Sequence, residues 1–164
     1  DVVLNNSAGC GCALKEYDHL LGTEDGKAFA AKCRDISEFL AAEGLTATPA
    51  QQNARVAYDD PCHLCHGQGV SSQPRELLQQ VPGIDLVSPT KSDDCCGSAG
   101  IYNMLQPKLA AEIGQTKAAH LHDCSPDMIV TGNPGCMMQI DSHMRRSGHN
   151  VPVRHPIELL LPPQ

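Results

Sequence analysis

Five consecutive residues, Cys62-His63-Leu64-Cys65-His66, form a C-x-x-C-H run inside "PCHLCHGQ", the attachment pattern of a c-type haem. Further along stand an adjacent pair, Cys95-Cys96 in "KSDDCCGSAG", and Cys136 at the end of "NPGC". Thiolates bind soft and borderline metals. The chemistries on offer are therefore haem attachment, a four-thiolate zinc site, an iron-sulfur cluster, or catalysis by an activated thiol.

Two of these account for the residues poorly. Haem needs Cys62 and Cys65 bonded to the porphyrin, His66 as axial ligand and a large apolar pocket, yet the chain holds three Tyr, two Phe and no Trp. Haem would also leave Cys95, Cys96 and Cys136 without a role. A catalytic thiol would pair Cys65 with His66 or His63, but sequence neighbours on a turn rarely face each other. Paired carboxylates, a phosphate loop and G-x-S-x-G are all absent, and "HGQG" and "CGSAG" are too short to read as nucleotide loops. Cys33 and Cys124, placed within and just after helical patterns, read as small buried hydrophobes. His120, His122, His143 and His149 read as helix-surface residues, and His155, before Pro156, as a turn former.

Bulk properties agree with a metal or redox role. The 164 residues can bury a sizeable core without staples, so nine cysteines, an odd number, favour reduced thiols over a disulfide framework. A net charge of -7, with scattered basic residues, excludes a nucleic-acid footprint. No apolar run approaches the roughly 20 residues of a membrane span. The sequence opens at Asp1 inside what reads as a strand, so the chain is expected to be a C-terminal fragment of a longer one.

The elements that must position the cysteines alternate in type. Strands are expected over 1–4, 55–60, 84–89, 127–132 and 151–155. Helices are expected over 13–21, 26–44, 73–81, 99–122 and 136–148, with "PIELLL" at the end. This alternation predicts an α/β fold: a mostly parallel, Rossmann-like sheet flanked by helices. Cys62, the Cys95-Cys96 pair and Cys136 each follow a strand and precede a helix. In an open parallel sheet those turns share the carboxyl edge, where such folds place ligands. Helix N-termini there, each with about half a positive charge, would favour thiolates. Gly97, Gly100 and Gly135 would let peptide N–H groups approach sulfur. The residues thus point to a metal site of Cys62, Cys95, Cys96 and Cys136, with zinc and an iron-sulfur cluster equally served. An internal echo links "DVVLNNSAGC", residues 1–10, with "DMIVTGNPGC", residues 127–136.

Taken together, Cys62, the "CCG" of 95–97 and "NPGC" ending at Cys136 resemble the cysteine-rich CCG domain. That domain is found in the glycolate oxidase iron-sulfur subunit, in lactate-utilisation proteins and in heterodisulfide reductase. "NSAGCGCALKEYDHLL", "DDPCHLCHGQGV", "DDCCGSAGIYNMLQPKLA" and "HPIELL" are similar to the glycolate oxidase subunit in particular. The resemblance implies that 1–50 is the tail of a first repeat with a connector and 51–164 a complete second repeat. It further implies a 4Fe-4S cluster on Cys62, Cys95, Cys96 and Cys136, with zinc as the alternative occupant and Gly97 and Gly135 beside it. The expected function is electron relay between a flavin-containing subunit that oxidises glycolate or a similar 2-hydroxy acid and an acceptor such as a quinone. The setting implied is cytoplasmic, with any inner-membrane association made through partners. Cys10, the last cysteine of the first repeat, is a further ligand candidate, with Cys12 behind it. The family's pattern ends in C-P-x-C, and Asn133 stands here at the first of those cysteines, with Ser7 at the equivalent place in the earlier copy. A five-thiolate cluster would therefore lack one ligand, while four thiolates remain for a cubane. Within the resemblance Cys65 and His66 are bystanders.

Overall fold

Strand β3 (Ala54–Tyr58) explains the architecture. Side chains alternate across a strand, yet Val56, Ala57 and Tyr58 are all buried, so both faces of its sheet are covered. The computed structural model, which describes residues 1–162, shows a four-stranded sheet in the order β4-β3-β5-β6, with β4 (Ile84–Val87), β5 (Met128–Val130) and β6 (Val153–Arg154). Every pairing is parallel. On one face Val56, Tyr58 and Val130 meet Leu77 and Leu78 of α6 (Ser72–Leu78) and Leu159 of α10 (Pro156–Leu159). On the other, Ala57 and Ile129 meet Ala118 and Leu121 of α8 (Pro107–His122) and Ile140 and Met144 of α9 (Pro134–Arg146). The α/β class and the parallel, helix-flanked sheet follow the sequence expectation.

A second, two-stranded parallel sheet pairs β1 (Val3–Asn5) with β2 (Cys33–Asp35). This corrects the sequence reading. The helix expected over 26–44 is interrupted: α3 (Glu24–Ala30) ends, β2 forms, and α4 (Ile36–Glu43) begins. The physical reason is a capping box. The Asp35 carboxylate accepts the Ser37 N–H at 2.8 Å and Glu38 reaches back to the Asp35 N–H at 3.4 Å, which starts a helix inside an apolar run of helical period. Cys33 consequently sits in a strand, its Sγ 3.4 Å from the Phe29 carbonyl. Two other expected helices are split. Residues 13–21 divide into α1 (Ala8–Lys15) and α2 (Tyr17–Leu21), and 99–122 into the single turn α7 (Tyr102–Leu105) and α8, which opens on Pro107 where a missing N–H costs nothing. A further single turn, α5 (Cys62–Cys65), follows β3.

The sequence echo extends through structure. β1, α1, β2 and α4 repeat the arrangement of β5, α9, β6 and α10: each is a parallel pair whose second strand runs into a capping box. Arg34–Glu38 and Arg154–Glu158 are matching i,i+4 ion pairs. The copies touch where α1 begins, the Ala8 N–H donating to the Gly132 carbonyl at 3.1 Å. α4 packs Leu40 and Ala41 onto the core of the larger sheet.

The second capping box makes the fold sensitive to acid. His155 Nδ1 accepts the Ile157 N–H at 3.3 Å and Glu158 accepts the His155 N–H at 2.7 Å. Burial pushes the His155 pKa down, opposed by the carbonyls of Asn6 and Gly132 and the charge of Asp35. Its folded-state pKa lies below the unfolded value of about 6.5, so its contribution to stability is complete above that value and is lost as pH falls through the folded pKa. The urea midpoint is expected to drop as pH falls below about 6.5, and His155→Asn, a cap that does not titrate, is expected to flatten that slope. A variant with the wild-type slope would contradict the assignment.

Candidate metal centre

In the order β4-β3-β5-β6 the chain leaves β3 in one direction and β5 in the other, so a crevice opens between their carboxyl ends. Cys62 is the first residue of α5, after β3, and Cys136 is the third residue of α9, after β5. Cys96 completes the group from the loop after β4, its thiol 3.0 Å from Cys136 Sγ. Cys62, Cys96 and Cys136 wall one cavity of about 280 Å³, together with Cys10, Ser98 and Asn133. Cys95 lies alongside, its sulfur accepting the Gly97 N–H at 3.3 Å and interacting with the thiols of Cys62 and Cys96. It also borders a neighbouring cleft of about 360 Å³ with Asp94 and Lys117.

The electrostatics are those of a shared charge. Hydrogen bonds from the Cys62 and Cys96 thiols, with the Gly97 N–H, hold the Cys95 pKa well below the usual thiol range. Cys62 is pushed up by its bond to Cys95 and then by burial, and Cys96 by its bond to Cys136, then by Cys95 and burial. A cation arriving at such thiols displaces their protons. Among the described residues, no three His, Cys, Asp or Glu side chains are arranged around a single metal ion. The thiols meet pairwise, Cys62 with Cys95, Cys95 with Cys96 and Cys96 with Cys136. Four soft thiol donors suit either zinc or a group that brings its own iron and sulfide.

One expected feature is different. Cys95 and Cys96 do not head a helix: the chain from 88 to 101 is irregular, and α7 starts only at Tyr102. The helix starts at the cavity belong to α1, α5 and α9, so the earlier copy of the echo contributes one of them. Cys10, exposed, thereby shares the cavity with Cys62, Cys96 and Cys136. Cys12 is buried and turns toward Glu16 at 3.8 Å.

The remaining candidates separate cleanly. Cys65 directs its thiol at the Cys62 carbonyl, 3.8 Å away, and His66 lies 3.8 Å from Asp93, so the C-x-x-C-H run does not converge on one point. His63 does reach the site, with Nδ1 3.6 Å from Cys62 Sγ. Gly97, at φ 85°, packs against the Ala110 carbonyl, and Gly135 leaves room for Ser98. Asn133 has a double role that its residue type alone did not reveal. Its Nδ2 donates to Cys136 Sγ at 3.3 Å while its Oδ1 accepts the Gly9 N–H at 3.3 Å, joining the two copies of the turn.

An open parallel α/β unit with thiols gathered at its switch point defines a cysteine-rich class of α/β domain. Residues 56–141 match the cysteine-rich domain CCG, and the chain belongs to that family. Over 98% of its length it is 37% identical to the "Probable glycolate oxidase iron-sulfur subunit" of Bacillus subtilis, covering 38% of that protein. It is 32% identical to the glycolate oxidase iron-sulfur subunit of Escherichia coli, covering 39% of it, and 34% identical to lactate utilization protein A of Oceanobacillus iheyensis, covering 68%. The chain thus spans well under half the length of the two glycolate oxidase relatives.

Proposed function

We propose that the chain holds an iron-sulfur cluster, of the 4Fe-4S type, and relays electrons within a complex that oxidises a 2-hydroxy acid such as glycolate or lactate. The observation that carries this reading is the convergence of Cys62, Cys96 and Cys136, with Cys95 in contact, on one cavity at the carboxyl edge of the sheet. The relatives named for glycolate oxidation and lactate utilization support the choice of complex. In this reading residues 1–50 are the end of a first repeat and the remainder is the second.

The cluster, when bound, supplies one-electron redox chemistry. The chain supplies the rest. Cys62, Cys95, Cys96 and Cys136 are the thiolate ligands, and Cys10 stands at the cavity as a further thiol. The Gly97 N–H and Asn133 Nδ2 donate to sulfur, which stabilises its negative charge. Burial of Cys96 and Cys136 keeps water from the ligand side. Electrons would arrive from a flavin-containing partner subunit and leave to an acceptor such as a quinone. Among the described residues no helix is long and apolar enough to cross a membrane.

Iron, acid-labile sulfide and zinc on anaerobically purified protein, together with its absorption spectrum, test the reading. Iron and sulfide in matching amounts are expected. A colourless protein with stoichiometric zinc and no sulfide would overturn it.

A further inference from the structure

We infer that Lys117 is the positioning residue of the cysteine site: its buried ammonium ties the loop bearing Cys95 and Cys96 to the turns bearing Cys62 and Cys136. The inference rests on the cluster reading above and adds to it the device that holds the ligands in register.

Lys117 lies in α8, 2% exposed, on the face that also buries Ala110, Ala118 and Leu121. An ammonium in such a place is costly unless fully partnered. It is partnered by backbone and acid together. Nζ donates to the Ser92 carbonyl at 2.7 Å and the Lys91 carbonyl at 3.3 Å, and meets Asp59 Oδ1 at 2.6 Å. The other Asp59 oxygen accepts the Thr131 hydroxyl at 2.7 Å. The groups of this network belong to three different turns. Asp59 directly follows β3 and leads to Cys62, Lys91 and Ser92 lie in the irregular segment leading to Cys95, and Thr131 directly follows β5 and leads to Cys136.

Supporting bonds run along the same seam. The Asp60 N–H donates to the Ser92 carbonyl at 2.9 Å, and the Asp60 carboxylate is gripped by both terminal nitrogens of Arg75. Lys91 itself is held at φ 54°, an uncommon conformation for a residue with a side chain. With that turn in place, two successive carbonyls face one nitrogen. The segment from 88 to 101 has no regular secondary structure to define its path, so these bonds are what set it. A buried ion pair is a poor source of net stability compared with apolar packing. What this one supplies is a fixed relation among three turns that share no strand or helix.

The test is built to separate positioning from stability. Lys117→Met alone would strand the Asp59 charge, so the informative variant is Lys117→Met with Asp59→Leu, which removes both charges. It is expected to unfold in urea at or above the wild-type midpoint. Iron and sulfide incorporation is expected to weaken by about 10- to 100-fold, the range for lost supporting contacts around a metal, and the electron paramagnetic resonance signature of any retained cluster to change. Amide hydrogen exchange over 91–97 is expected to rise. A stable double variant with wild-type cluster content, signature and exchange overturns the inference and leaves the cluster reading standing. If the wild type itself incorporates no iron and sulfide, the cluster reading fails, and exchange over 91–97 alone decides the positioning role. Thr131→Val, which keeps the ion pair, is the second variant should the double variant not fold. It is expected to raise exchange over 131–136, and unchanged exchange there overturns the inference.

Discussion

Cys96→Ser is expected to reduce iron and sulfide content to background while leaving the metal-free fold nearly unchanged. Cys96 is buried against Cys136, at 3.0 Å between sulfurs, and touches Cys95 through the same thiol. Serine fills nearly the same space and can keep a hydrogen bond, so the cost to folding is about 1 kcal/mol. Its hydroxyl is a hard donor that stays protonated near neutral pH, and it makes a poor substitute for a thiolate on iron. The comparison is Cys65→Ser, whose sulfur faces a backbone carbonyl, and which is expected to retain the cluster. Metal analysis and the absorption spectrum of both proteins check this. A Cys96→Ser protein with full cluster content would refute the ligand assignment.

Gly97→Ala is expected to be the most damaging single methyl group that can be added beside the site. A Cβ there would lie 2.5 Å from the Ala110 carbonyl oxygen, a backbone atom of α8 that cannot step aside, and φ is 85°. Backbone strain and overpacking together amount to about 2–4 kcal/mol. Gly100→Ala isolates the first of these, because at φ 67° its Cβ would meet nothing within 4 Å, and about 1 kcal/mol is expected. Urea unfolding of the two variants measures the difference. If Gly97→Ala costs no more than Gly100→Ala, the close approach of the cysteine loop to α8 is not what the geometry indicates.

The common address of the cysteines was legible because it follows from local signals. An apolar strand, a turn with Gly or Pro and a helical pattern place Cys62 and Cys136 after parallel strands, and a parallel sheet brings those ends together. The irregular loop was not legible. Its path depends on Lys117 and Asp59, residues far apart in sequence, and a lysine in a helical pattern reads as solvent-exposed until the packing is known. β2 was missed for a related reason. The run from 26 to 44 has helical periodicity, and strand pairing between β1 and β2 is a long-range event that periodicity does not record. Asp35 with Glu38 was the available signal, since a capping box inside a helical run marks a new beginning. The convergence of α1 on the cavity was equally hidden, although the echo of "SAGC" in "NPGC" carried a trace of it.

The paired corners at Asp35 and His155 show what a repeated segment can change. Both make the same backbone closure, one with an acid and the other with a base, and the turns at Ser7 and Asn133 likewise share a frame while differing in side chain. The two segments share a wiring plan of peptide bonds and differ in the side chains at its terminals. A donor can be lost or gained at such a terminal by a single codon change, and the sheet beneath need not be rebuilt.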